Sequence, residues 1–410
     1  MNLHRRYLVL LALRWLPVGL CIPILVLLPL SRGLTLAETG LAASLQGFVV
    51  LALELPTGGL SDSWGRRPTL VLAASVAVVS MSLLAVADSF ALFAIVYVLQ
   101  GIYRALDSGP LESWYVDVSL AADPSVKLER GLSAGGTVIG LAIGAGALAT
   151  GGLVAWVEMP GIPTLVVPVL AGLCVQVTGL AAIVLLVREP PHPDGRRRLL
   201  ASLRDVPRAI TDGVRVVRRS RVLLALVAVE LCWGFGMVTF EVLMPVRLSE
   251  LLGGTEEAAA VTGPASAVAW LVAAAGAAVI PLLTARVGVA VTAGVLRIAH
   301  GVAVVGMGLL AGPAGVLTGY LATYLVHGAS NPVHMTLLHR EVSGENRSTV
   351  MSINSMMMQP AGALGMILLT ALATGTSVST AIVVGAVVLA LAAPLYLPAI
   401  RAERRPRVPV

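Results

Sequence analysis

Apolar segments of about membrane length follow one another from end to end of this 410-residue chain. A helix needs roughly 20 apolar residues to cross the hydrocarbon core of a bilayer. Because backbone polar groups inside a bilayer must be paired within the protein, segments of this length are expected to be helical. We therefore predict an all-α membrane protein with twelve transmembrane helices, at residues 7–30, 38–60, 69–87, 90–117, 130–153, 162–187, 221–247, 258–283, 289–311, 314–338, 348–373 and 377–399.

The composition excludes a soluble globule. Hydrophobic residues make up 57% of the chain and charged residues 12%, whereas soluble domains carry about 25% charged residues. The three cysteines, Cys21, Cys174 and Cys232, are isolated in apolar segments, a spacing that indicates neither a metal site nor a disulfide framework. We predict no metal and no cofactor.

Basic residues divide the gaps between segments into two kinds. Most of the 28 Lys and Arg residues lie at the two termini and in alternate gaps, at 61–68, 118–129, 188–220, 284–288 and 339–347. Short loops rich in Lys and Arg face the cytoplasm, so both termini are predicted to be cytoplasmic. This topology also accounts for the net charge of +6 without a nucleic-acid partner. The excess of Arg over Lys and the richness in Ala, Gly and Val favour a bacterial inner membrane.

The longest gap, 188–220, separates six segments from six. It predicts an N-terminal bundle at 1–187, a cytoplasmic linker at 188–220, a C-terminal bundle at 221–400 and a basic tail at 401–410. Apolar residues at helical spacing in the linker favour an amphipathic helix on the inner leaflet, although a solvated linker stays open. The two bundles are predicted to be pseudo-symmetric, because residues 281–288 repeat the position of 58–68 and keep its glycine and one arginine but not its acid.

The gap between the second and third segments carries a dense motif. It reads Gly-x-x-x-Asp-x-x-Gly-Arg-Arg, formed by Gly58, Asp62, Gly65, Arg66 and Arg67. With twelve segments in two halves of six, the chain resembles the major facilitator superfamily over nearly its whole length. The resemblance implies that this loop latches the halves on the cytoplasmic side, with Asp62 facing the start of span 11. It also implies that an arginine of the motif pairs with an acid at the end of span 4, here Asp117. The alternative, a plain positive-inside turn, explains the arginines but not the acid or the glycines.

Two further stretches resemble drug-efflux-type proton antiporters of that superfamily. Residues 104–114 are similar to their fourth span, although Gln100-Gly101 precedes Arg104 where the family has Arg before Gln-Gly. In span 5, Gly131, Gly140 and Gly144 fit the first three positions of the antiporter glycine pattern. Its proline and last glycine pair are replaced by Ala145 and by Leu148-Ala149. Small residues also let helices pack closely, so both explanations stay open.

The chain has no phosphate-binding loop for ATP, because its single lysine, Lys127, lacks the required glycines. Transport is therefore expected to run on an ion gradient, with the proton as the coupling ion. Ionisable groups inside a membrane are costly and usually functional, which makes the candidates Asp107, Glu230, Arg104 and Glu54. Asp107 lies one helical turn from Arg104 and is either a proton carrier or its static partner. Glu230 has no basic neighbour in sequence. Glu54 is either a coupling residue or a structural support for the loop between spans 2 and 3.

Substrate sites of such folds lie near mid-membrane between the halves. Segments 1, 4, 7 and 10 offer the cavity candidates Arg14, Tyr103, Trp233, Tyr324, His327 and Asn331. An apolar cavity with isolated acids suits amphiphilic or cationic organic molecules, whereas Arg14 and Arg104 would instead suit an anion. His327, Asn331 and His334 share one helix face and either line the cavity or join helices.

These observations predict a secondary active transporter that works by alternating access. Its expected activity is proton-coupled efflux of amphiphilic drugs or secondary metabolites. The alternative is a proton-coupled uptake symporter for a small nutrient, and a polytopic membrane enzyme is a remote one. The expected partners are a small-molecule substrate, protons and the lipid bilayer, and the resemblance implies a monomer.

Overall fold

The computed structural model describes residues 2–123, 126–189, 211, 215–342 and 347–404. Side chains at 55, 58, 59, 62 and 347–349 lie outside that description, as do most of the predicted amphipathic helix in the 188–220 linker and the tail from 405 onwards. Within the described residues the chain is almost entirely helical, with one isolated bridge between Met159 and Ile162. The predicted all-α class is confirmed.

The described residues form two compact units. The first lies within residues 1–206 together with 254–267, and the second within 207–253 together with 268–410. The first contains α1 (Leu3–Cys21), α2 (Leu27–Ser31), α3 (Leu36–Trp64), α4 (Arg66–Val86), α5 (Phe90–Asp107), α6 (Pro110–Ala122), α7 (Leu128–Trp156) and α8 (Val167–Leu186). The second contains α9 (Arg221–Val238), α10 (Met244–Leu252), most of α11 (Thr255–Val287), α12 (Val289–Leu309), α13 (Gly312–Glu341), α14 (Arg347–Gly375), α15 (Val378–Ala390) and α16 (Leu397–Glu403).

Eleven segments among the described residues are long and apolar enough to cross a membrane. The twelfth predicted segment, 314–338, forms the 30-residue helix α13. That helix is long enough to span, but it carries polar side chains such as His327, Asn331 and His334, which lower its hydropathy. The architecture is that of twelve transmembrane helices.

Several predicted continuous spans are interrupted. Span 4 breaks between α5 and α6, where Ser108 is extended and Gly109 has φ of 97°. Pro110 then starts α6 at a position where its missing N–H costs nothing. Span 7 contains a π-helical turn at Thr239–Leu243, a feature that is frequent at functional sites.

Close backbone contacts hold the first unit together. A Cβ added at Gly19 would clash with the backbone of Ile143, and one at Gly146 would clash with the backbone of Leu16. Thr150 Oγ1 also donates to the Leu20 carbonyl at 2.7 Å. Helices α1 and α7 therefore pack through small residues, which is how membrane helices associate where apolar burial gives no advantage.

The second unit has a continuous apolar core built from α9, α12, α13 and α14. Its most buried members include Leu226, Val229, Val333, Leu338 and Val350. Helices α9 and α14 approach closely, because a Cβ at Gly234 would clash with the backbone of Met358. This packing fixes the polar side chains that the same helices carry at mid-length.

Candidate functional site

The break in span 4 exposes a backbone carbonyl at mid-span. Helix α5 ends at Asp107, and the last carbonyls of a helix have no partner within it. Arg14 of α1 fills this role, since its Nη2 donates to the Asp107 carbonyl oxygen at 2.9 Å. The carbonyl of Ala105, two residues earlier, accepts from Thr57 Oγ1 at 2.8 Å. The discontinuity thus creates a polar position inside an otherwise apolar unit.

The same arginine also pairs with the Asp107 side chain. Arg14 Nε forms an ion pair with Asp107 Oδ2, and Asp107 is 6% exposed. Tyr103, one turn before Asp107, lies within hydrogen-bonding reach of both side chains. A cavity of about 20 Å³ adjoins the pair, room for one water molecule. Apolar side chains and Gln176 complete its lining.

This geometry corrects the predicted pairing of Asp107 with Arg104. The Arg104 side chain is exposed, and it interacts electrostatically with Glu54 instead. A buried carboxylate is satisfied here by a cation from the neighbouring helix, while the arginine on its own helix reaches outward. Glu54 Oε2 is buried and has no hydrogen-bond partner within the described part of the chain.

A second polar cluster lies in the second unit around Glu230 of α9. Glu230 Oε1 is 3.1 Å from His334 Nε2, and the carboxylate also interacts with the Asn354 side chain. His334 Nδ1 is 2.9 Å from the Tyr396 hydroxyl. Arg297, 3% exposed, interacts electrostatically with Glu230 and Tyr396. Glu230 has no basic neighbour in sequence, but the fold brings His334 and Arg297 to it from other helices.

Aromatic and imidazole rings adjoin the second cluster. The Trp233 ring stacks on His327 at a centroid separation of 4.8 Å, and the Arg297 guanidinium lies 5.3 Å from the Trp233 centroid. Tyr324 contacts His327 edge-on at 5.8 Å. Asn331, predicted with these residues, is exposed and makes none of these ring contacts. The structure therefore brings three of the four cavity candidates of this unit together.

The structure describes only part of the motif between the second and third spans. Arg66 Nη2 lies 3.3 Å from Asp117 Oδ2, and Gly65 adopts φ of 108° between α3 and α4. The side chain of Asp62 and the surroundings of Gly58 lie outside the described residues. The pairing of Arg66 with Asp117 is present, but the latch role of the motif stays a prediction.

Two acids missed by the sequence analysis cap equivalent helices in the two units. Glu189, just after α8, accepts from the Arg67 backbone N–H at 2.9 Å. Glu403, at the end of α16, accepts from the Ala290 N–H at 3.0 Å and from Arg340 at 3.1 Å. Each unit thus has an acid after its last predicted span that accepts from a backbone N–H in the first turn of its third span. An acid within four residues after predicted spans 6 and 12 was the available signal.

Asn354 and Tyr396 were also missed, because neither is a charged residue in an apolar segment. No cluster of three or more His, Cys, Asp or Glu side chains with metal-site geometry occurs in the described ranges. In each of the two clusters a buried carboxylate is paired with a basic side chain, Asp107 with Arg14 and Glu230 with His334.

The Major Facilitator Superfamily model matches residues 8–326. The chain belongs to the Major Facilitator Superfamily. Membership makes it a multi-pass secondary transporter with a small-molecule substrate rather than an enzyme. It does not by itself establish the drug-efflux type, the direction of transport or the coupling ion.

Solved structures support the same fold at low sequence identity. The nucleoside transporter NupG is 12% identical with a TM-score of 0.78, covering 99% of this chain and 100% of that one. A bacterial homologue of the human lysosomal transporter Spinster, in an inward-facing and occupied conformation, is 15% identical with a TM-score of 0.76, covering 99% and 97%. A structure of proton dependent oligopeptide transporters is 13% identical with a TM-score of 0.68, covering 98% and 99%. No curated protein matches the chain.

Proposed function

We propose that this superfamily member is a proton-coupled exporter of amphiphilic organic molecules, with Asp107 as its proton-binding carboxylate. It works by alternating access in a bacterial inner membrane, as a monomer with both termini cytoplasmic. One observation carries the proposal: a buried carboxylate paired with Arg14 at a helix break, beside a cavity with room for one water molecule.

The small cavity supports a proton role rather than a substrate role for this pair. A space of about 20 Å³ admits water but no drug-sized molecule, whose sites are several hundred Å³ in volume. A water molecule there gives the carboxylate a proton donor. Protonation of Asp107 removes the negative charge that Arg14 balances. The ion pair that joins α1 to the end of α5 is then weakened, so that the two helices can shift relative to each other.

The substrate class rests on the rings of the second unit. Trp233 and His327 are both partly exposed, so their edges are available to a ligand while their stacked faces are not. Aromatic surface next to the Glu230 carboxylate favours planar or apolar molecules that carry a positive charge. The single described cation in this ring cluster, Arg297, is already engaged with Glu230 and Tyr396.

The export direction rests on the glycine pattern of span 5. Packing accounts for Gly131, where a Cβ would clash with the Tyr115 hydroxyl. It does not account for Gly140 or Gly144, since no described atom lies within 4 Å of a Cβ built at either position. Glycines that packing does not require fit a conformational role, which is the role that the antiporter pattern implies.

The test uses inverted membrane vesicles acidified by respiration, in which the cytoplasmic face is outside. A pH-sensitive dye reports the lumen while ethidium or tetraphenylphosphonium is added. Export by antiport predicts proton release from the lumen with the wild type and its loss in Asp107→Asn. The matched control is Asp88→Asn, because Asp88 is an exposed loop acid. Proton release that persists in Asp107→Asn would overturn the coupling assignment.

Uptake is the competing direction, and the partly exposed Arg14 is the observation that favours it, since an arginine suits an anionic nutrient. Wild-type vesicles that ignore both cations but acidify or alkalinise with nucleosides, short peptides or organic acids would move the assignment to uptake. The similar folds of NupG and of the oligopeptide transporters make those solutes the first to be tried.

A further inference from the structure

The second unit holds a buried carboxylate network that the proposed role of Asp107 does not use. We propose that Glu230 is a second protonatable site, held by His334 and balanced by Arg297, so that the transporter carries one proton site in each unit. This inference deepens the proposed function and rests on it for the use of the second proton in transport. The existence of the site is testable without any substrate.

The hydrogen bonds around Glu230 run in one direction. An ionised Glu230 carboxylate can only accept, so the proton of a neutral His334 lies on Nε2, 3.1 Å from Glu230 Oε1. His334 Nδ1 then accepts from the Tyr396 hydroxyl, 2.9 Å away. His334 Nε2 also faces a second acceptor, Asn354 Oδ1, at 3.3 Å. The chain of donors therefore ends on the Glu230 carboxylate.

This arrangement makes Glu230, and not His334, the group that takes up a proton. An imidazolium at His334 would donate from Nδ1 to the Tyr396 oxygen. The Tyr396 proton would then lose its acceptor, and two cations would lie close together. A proton on Glu230 leaves the His334 and Tyr396 bonds in place.

Protonation of Glu230 would change the charge balance around Arg297 and thereby the conformation of the protein. Arg297 is 3% exposed, and a buried cation that loses its counter-charge is strongly destabilised. Neutralising Glu230 therefore favours a conformation in which Arg297 is solvated or newly paired. The other titratable groups that interact with Arg297 include no carboxylate; they are Cys232, His300, His327, His334 and Tyr396.

Glu230 and Arg14 each lie several turns into their own helix. Glu230 is nine residues into α9, which begins at Arg221, or about 14 Å along the helix at ~1.5 Å per residue. Arg14 is eleven residues into α1, which begins at Leu3, or about 17 Å on the same measure. Each lies well inside the ~30 Å hydrocarbon core, where an ionisable group is a functional candidate.

The experiment is an infrared pH titration of the full-length protein purified in detergent, with no substrate added. A buried carboxylic acid gives a C=O stretch when it is protonated. We expect one signal that depends on pH to be lost in Asp107→Asn and another to be lost in Glu230→Gln, while any signal from the partly buried Glu54 persists in both variants. Glu158→Gln is the matched control, because Glu158 is an exposed loop acid, and it should retain both. A wild-type spectrum that Glu230→Gln leaves unchanged over the accessible pH range would overturn the proposal.

A conservative variant covers the case in which Glu230→Gln does not fold. Glu230→Asp keeps a carboxyl group and is expected to move the second signal to another frequency without removing it. An unmoved signal in Glu230→Asp would also contradict the assignment. The signal assigned to Asp107 should be unchanged in both variants, because the two groups belong to different units.

His334 is tested as a positioning residue. His334→Gln retains an N–H donor for the carboxylate and is expected to keep the pH midpoint of the Glu230 signal close to that of the wild type. His334→Leu removes the donor and is expected to displace the midpoint. Equal midpoints in the two variants would show that the imidazole does not hold the carboxylate.

The two proposals fail in distinguishable ways. Loss of cation-driven proton release in vesicles with both infrared signals intact would overturn the export function but leave two proton sites. Normal proton release that Asp107→Asn abolishes, with no infrared signal lost in Glu230→Gln, would support the export function and overturn the second site.

Discussion

Arg14 holds Asp107 by two different contacts, one to the carboxylate and one to the backbone carbonyl at 2.9 Å. Only a fork of several N–H donors can make both contacts from one side chain. The position therefore requires arginine specifically, and not merely a positive charge.

We expect Arg14→Gln and Arg14→Lys to separate these two roles. Arg14→Gln leaves a buried carboxylate without a counter-ion, and breaking a buried pair costs about 3–5 kcal/mol, less here because Arg14 is 23% exposed. Arg14→Lys keeps the charge but not both contacts, so its loss of stability should be smaller. The measurement is the thermal unfolding midpoint of each variant in detergent, by tryptophan fluorescence.

The matched control is Arg32→Gln, which removes an arginine that makes no ion pair among the described residues. Midpoints that are the same for Arg14→Gln and for this control would mean that the pair contributes little to the folded state. A midpoint for Arg14→Lys as low as that for Arg14→Gln would mean that geometry, and not charge, is what matters.

The sequence identified the buried acids but not their partners. Asp107 and Glu230 are predictable because a carboxylate in an apolar segment is costly whatever surrounds it. Their partners are not, because Arg14 lies 93 positions from Asp107 and His334 reaches Glu230 from another helix. Spacing within one helix suggested Arg104 for Asp107, but Arg14 of another helix pairs with that carboxylate and the Arg104 side chain is exposed.

At the scale of elements, the turn between α3 and α4 depends on a glycine and on a distant acid. Gly65 has φ of 108°, a conformation that side chains rarely adopt. A Cβ there would lie 2.9 Å from Glu189 Oε2, the atom that accepts from the Arg67 N–H. The carboxylate satisfies a free N–H at the start of α4 and complements the positive end of the helix.

We expect Gly65→Ala to destabilise the protein more than Gly33→Ala does. Gly33 has φ of 87° but has no described atom within 4 Å of an added Cβ, so its substitution costs the backbone strain alone, about 1–3 kcal/mol. Gly65→Ala adds the displacement of Glu189 from the helix end, worth about 0.5–2 kcal/mol for a lost cap.

Amide hydrogen exchange at the first turn of α4 checks this prediction. Faster exchange there in Gly65→Ala, and none in Gly33→Ala, is the expected pattern. Equal unfolding midpoints and unchanged exchange in both variants would show that the position of the Glu189 carboxylate does not require glycine at residue 65.

The helices themselves were predictable, whereas their interruptions were not. Apolar runs of membrane length are expected to be helical, because backbone N–H and C=O groups inside a bilayer must be paired within the protein. Each predicted segment contains helix. The breaks depend on local sequence that a hydropathy pattern averages away. The break in span 4 could have been predicted from Gly109-Pro110, a dipeptide typical of turns. The π-helical turn at Thr239–Leu243 has no comparable signal in the sequence.

At the scale of the whole molecule, the two units share a pattern of buried charge. Each unit holds a buried carboxylate beside an arginine, Asp107 with Arg14 and Glu230 with Arg297. Each also has an acid at the end of its sixth predicted span that caps the third, Glu189 and Glu403. The residue types and helix positions of the two pairs differ, so a sequence comparison of the halves does not find them.

Neutralising both carboxylates should uncouple transport without abolishing it. If protonation is what releases Arg14 and Arg297, the double variant Asp107→Asn, Glu230→Gln resembles a permanently protonated protein. Ligand shifts a conformational equilibrium only through its differential affinity for the two states, so a proton gradient then has no carboxylate on which to act. Movement of substrate down its own gradient needs no such action.

Proteoliposomes with a cation identified in the vesicle assay separate these two activities. We expect accumulation driven by a pH gradient to be lost in the double variant, while exchange of labelled for unlabelled cation at equal pH continues. Asp88→Asn, Glu158→Gln is the matched double control, since both acids are exposed, and it should keep both activities. If accumulation survives in Asp107→Asn, Glu230→Gln, the coupling proton binds outside both clusters. If both accumulation and exchange are lost, these carboxylates are needed for the conformational cycle itself.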